Sequence, residues 1–81
     1  MGIEYKIHFP LPEGYSTEQL LRRLPNAETA PGQMPEYDFA LEADGFYFID
    51  HMGDAAVVAR ALRVLIDEGL RHGAAVQISE L

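Results

Sequence analysis

The chain has 81 residues, 48% of them hydrophobic and 23% charged, with 13 acidic against 6 basic side chains and no cysteine. This length supports one domain, 1–81, and the lack of cysteine excludes disulfide staples, Cys-ligated zinc and thiol nucleophiles. A net charge of −7 argues against nucleic acid as a partner, and no run approaches the ~18 apolar residues of a membrane span.

The first residues carry neither the basic start nor the apolar stretch of a signal peptide, so a reducing cytoplasm is the expected compartment. Ten alanines, and five arginines to one lysine, read as GC-rich bacterial coding.

Residues 3–9 alternate, with Ile3, Tyr5, Ile7 and Phe9 on one side and Glu4, Lys6 and His8 on the other, the period of a half-buried strand. Pro10 and Pro12 end it. Ser16 then reads as the N-cap of a short helix, with Gln19 completing a capping box and Tyr15 stapling to Leu20. Leu20, Leu21 and Leu24 form its buried stripe, Arg22 and Arg23 suit its C-terminal dipole, and Pro25 stops it. Residues 25–36, with three prolines and a glycine, read as a long loop.

Two apolar-rich runs, 37–43 and 46–50, flank Asp44-Gly45, a dipeptide suited to a type I′ turn. A turn there would set Leu41 against Phe48 and Phe39 against Asp50 on one side, and Glu42 against Tyr47, Ala40 against Ile49 and Asp38 against His51 on the other. From Asp54, a good N-cap, to Gly69 or Gly73 the period is helical, with Ala55, Val58, Ala61, Leu62, Leu65 and Ile66 inward. Residues 74–79 read as a last strand with Val76 and Ile78 inward. The order β-α-β-β-α-β predicts an α+β fold of the ferredoxin-like type. Its four-stranded antiparallel sheet has the order 4-1-3-2, with two helices on one face and the other face open.

Between Arg23 and Arg60 there is no Lys or Arg, whereas Glu28, Glu36, Asp38, Glu42, Asp44, Asp50 and Asp54 all fall there. Matched charge steers encounters, so the 36–54 hairpin and open face are expected to meet a basic protein partner or a second copy. The predicted contact residues are Asp38, Ala40, Glu42, Tyr47, Ile49, Asp50 and His51.

A cation site at Asp50, His51 and Asp54, with Asp38 across the hairpin, is chemically conceivable, but its spacing matches no calcium loop or zinc-hydrolase motif. The simpler expectation is that Asp54 caps a helix and His51 pairs with Asp38. Ser16, Thr17, Thr29 and Ser79 lack the pattern of an activated nucleophile. RNA-binding domains of this topology need several stacking aromatics and a basic rim, and here one aromatic, Tyr47, would face outward.

The expectation is therefore a non-enzymatic protein-interaction module with no cofactor. A small-ligand-binding regulatory domain is the alternative, and a cation-dependent hydrolase at Asp50, His51 and Asp54 a more distant one.

Overall fold

In a computed structural model, which describes residues 2–27 and 32–81, six elements follow in the order β1 (Ile3–His8), α1 (Glu18–Arg23), β2 (Tyr37–Glu42), β3 (Gly45–Asp50), α2 (Ala55–His72) and β4 (Gln77–Glu80). Glu28, one of the seven acids, and Thr29 lie outside the described residues. The strands form one antiparallel sheet in the order β2-β3-β1-β4; taken from the β4 edge, the succession is β4-β1-β3-β2.

Alternation along β1 and β3 sends Tyr5, Ile7, Phe46 and Phe48 to the side where both helices lie. Ile7, Phe46, Phe48, Leu20, Ala61 and Leu65 are wholly enclosed there, with Phe9, Tyr37 and Val58 nearly so. Each large apolar side chain so buried contributes about 2–3 kcal/mol relative to exposure. Tyr37 stacks on Phe48 with ring centroids 5.6 Å apart, and its hydroxyl donates to the Pro25 carbonyl at 2.6 Å. Burial raises its phenol pKa.

The hairpin turn is Ala43-Asp44, one residue earlier than the Asp44-Gly45 turn predicted. Glu42 pairs with Gly45, Leu41 with Phe46, Ala40 with Tyr47, Phe39 with Phe48, Asp38 with Ile49 and Tyr37 with Asp50. Every predicted partner thus moves by two positions, and because strands alternate with period two, every side chain keeps its predicted face. The cause is tertiary. Gly45 lies within β3 against β1, with φ +142°, and a Cβ there would stand 1.9 Å from the Ile7 carbonyl oxygen.

Helix α1 starts at Glu18 rather than beside a Ser16 cap. Its N-cap is Thr17, with no side-chain cap bond, and Ser16 Oγ accepts from the Glu18 N–H at 3.2 Å. The predicted Tyr15 staple gives way because that ring turns toward Phe46 and His72. Helix α2 starts as predicted, with Asp54 accepting from Ala56 N–H at 2.8 Å, and runs through to Gly73. Gly69 admits close packing of α2, since a Cβ there would lie 2.7 Å from Val76. Strand β4 is shorter than 74–79, and Ile78, predicted inward, is 45% exposed, although register places it on the helix side opposite Ile7.

Candidate functional site

The open side of the sheet carries three rows of side chains. Asp38, Ile49 and Glu4 form one; Ala40, Tyr47, Lys6 and Ser79 the next; Glu42, Gly45, His8 and Gln77 the third. The Lys6 ammonium pairs with Glu42 and, at 2.6 Å, with Asp44. Hydrogen bonds to Asp44 and then Glu42 raise the Lys6 pKa above its ordinary value despite the opposing effect of burial. The same contact with Lys6 holds the Asp44 carboxyl below its usual range.

Tyr47 donates its hydroxyl to Glu4 at 2.5 Å, the main reason its phenol pKa is raised. His51 Nε2 lies 2.9 Å from Asp38 Oδ2.

The fold brings together Asp38, Ala40, Glu42, Tyr47, Ile49 and His51 on this face. Asp50, the seventh predicted contact, is not among them. It follows Phe46 and Phe48 in the alternation and faces the other way, where its Oδ1 accepts from the Met52 N–H at 2.7 Å. The predicted cation triad is likewise divided, since Asp50 serves Met52, His51 pairs with Asp38 and Asp54 caps α2. Among the described residues no group of three His, Asp or Glu side chains is placed to hold a metal ion.

Charge is sorted by layer. All five arginines lie on the two helices, beside three carboxylates, Glu18, Asp67 and Glu68. Nine further acids among the described residues lie in strands and loops, where Lys6 is the sole Lys or Arg among the described residues.

A second polar cluster lies on the helix side, around Glu68. Its carboxylate accepts from the Tyr15 hydroxyl and from Arg23, with Arg71 at 3.9 Å and His72 at 3.7 Å. Burial works against ionisation, but Tyr15, Arg23, His72 and Arg71 together hold the Glu68 pKa below its ordinary value. Burial, with the bond to Glu68, pushes the Tyr15 phenol well above its usual range.

These contacts tie α1 and the β1–α1 loop to α2. The predicted sites omit Glu68, yet a signal was present. The buried positions Val58, Ala61 and Leu65 continue at helical spacing to 68, where a charge replaces an apolar residue.

At the turn end of the sheet, His8, Phe9, Leu11, Asp44, Val76 and Gln77 line a largely apolar groove of about 490 Å³. In comparisons with known proteins, no family model, no curated protein and no solved structure matches the chain. No helix among the described residues is long and apolar enough to cross a membrane.

Proposed function

We propose that this chain is a non-enzymatic interaction domain on a ferredoxin-like sheet, and that its open face receives a positively charged protein surface. The observation that carries this reading is the sorting of charge. The open face holds Glu4, Asp38 and Glu42 around Ala40, Tyr47 and Ile49, and its single cation, Lys6, is already engaged by two carboxylates. Opposite fields favour encounter and fix orientation, and the apolar centre supplies area to desolvate.

The test is a ¹⁵N–¹H titration with oligolysine and, separately, oligoglutamate at low and high salt. Shifts at Ala40, Tyr47 and Ile49 with oligolysine alone, lost in salt, are the expected result. Oligolysine shifts elsewhere, or none, would overturn the reading, and shifts on raising protein concentration alone would replace the basic partner by a second copy.

The groove at His8, Phe9 and Val76 supports a second reading, a small-ligand-binding regulatory domain, because its lining is largely apolar with His8, Asp44 and Gln77 as polar groups, the make-up of a ligand cleft. A thermal shift on adding amino acids or nucleotides, abolished by Val76→Arg, would favour it.

A further inference from the structure

Resting on the basic-partner reading above, we propose that the partner is held by strand addition. An extended segment with Lys or Arg at alternate positions pairs along the outer side of β2. Among the described residues strand β2 is an edge, and its six residues pair with β3 without a skipped position, so no bulge twists the edge away. Edge strands in soluble proteins are commonly guarded by Pro, charged side chains (Lys above all) or a bulge, and the charges on this one are Asp38 and Glu42, which would repel another acidic strand but not a cationic one. Residues 37–42 contain no Pro, Lys or Arg.

The two sides of β2 specify different chemistry. On the open face stand Asp38, Ala40 and Glu42, all exposed. On the helix face stand Tyr37, Phe39 and Leu41, and because α2 packs over β1 and β3, Phe39 is only half-buried and Leu41 is 40% exposed. A strand laid beside β2 places successive side chains on opposite faces. Cations at every second position would meet Asp38 and Glu42, while apolar residues between them would extend the layer of Phe39 and Leu41. Backbone pairing supplies affinity, and the alternating rows supply selection.

Two alternatives fit less well. The other edge, β4, has four residues, and its open-face side chains are the neutral Gln77 and Ser79. A second copy pairing antiparallel about Ala40, with both helix layers on one side, would set Asp38 against the other copy's Glu42. Like charges directly opposite destabilise a sheet pair, so the acids repel a second β2 while they attract a cationic strand.

The test compares hexapeptides of identical composition, three valines and three lysines, by calorimetry and by chemical shift. One alternates the two residue types and the other groups them in blocks. Two further versions of the alternating peptide are N-methylated on one or the other set of alternate amides. The expected result is that the alternating peptide binds about tenfold more tightly than the block isomer. It shifts Phe39 and Leu41 as well as Ala40, loses binding in only one of the methylated forms, and is weakened by the double change Asp38→Asn and Glu42→Gln.

Equal binding by alternating and block peptides, or by both methylated forms, would overturn strand addition while leaving the basic-partner reading intact. Failure of every peptide, together with silence toward oligolysine, would remove both.

Discussion

Two charged side chains are buried among the described residues, Lys6 at 8% exposure and Glu68 at 6%, and they are near mirror images. Lys6 is a cation set among acids on the open face, and Glu68 an acid set among cations beneath the helices. Their partners differ. Glu42 and Asp44 retain 46% and 64% of their side-chain exposure and sit at one hairpin turn. Arg23 and His72 are more covered, at 31% and 28%, and with Tyr15 and Arg71 they come from the β1–α1 loop, α1 and α2. Similar burial therefore has different consequences. Removing Lys6 returns its partners to water, whereas removing Glu68 frees Arg71, at 59% exposure, but strands Arg23 and His72, which water reaches less well.

The largest expected effect follows from that asymmetry. Glu68→Ala should lower unfolding free energy by about 3 kcal/mol, the low end for breaking a buried ion pair, read from the urea midpoint. A loss under about 1 kcal/mol, the range of exposed pairs, would erase the distinction.

Next in size is the pH dependence. A carboxyl whose folded pKa lies below its unfolded value contributes fully above about 4.5, and the contribution drains as pH falls through the folded value. Glu68→Gln should therefore flatten the acid limb of the stability profile. For Lys6 the sign is opposite. Its raised pKa contributes below about 10.5 and is lost as pH rises through the folded value, so Lys6→Met should flatten the alkaline limb and, because Lys6 also holds the Asp44 carboxyl down, part of the acid limb as well.

At pH 7 Lys6→Met should cost about 1 kcal/mol or less, since the new side chain is apolar and the freed carboxylates rehydrate. It should also strengthen the oligolysine shifts at Tyr47, because the face loses its only lysine. Smallest of all, His51→Ala should change stability by about 0.5 kcal/mol, a reference value for a pair at the margin of the same face.

Much of this architecture is legible in the sequence because it follows from period. The alternation of Ile3, Tyr5, Ile7 and Phe9 and the stripe from Val58 to Leu65 each contain their own face assignment, and Asp54 announces α2. What depends on a neighbour remote in sequence is not legible. The approach of Gly45 to the Ile7 carbonyl moves the turn, and the attraction of Tyr15 to Glu68 alters the start of α1. Composition shows Lys6 as one of six bases, and only the strand register brings it to Asp44. The shared face of Asp38, Ala40, Glu42, Tyr47, Ile49 and His51 is legible because a two-position shift preserves faces. Asp50 entered through its charge although its parity opposed it.

The placement of β1 also bears on how the chain acquires its structure. Tyr5 pairs with Phe48 and with Glu80, so both flanks of β1 are completed by residues far downstream, the second 75 positions away. The hairpin of β2 and β3 and the helix α2 need only local contacts and can form early, whereas long loop closures slow the pairing of β1. On the ribosome β1 emerges before either of its partners, and it stays without its second neighbour until 77–80 is free. Ile7 and Phe9 stand uncovered in the meantime, and that interval, rather than the finished fold, is when the chain is most exposed to pairing with another copy of itself.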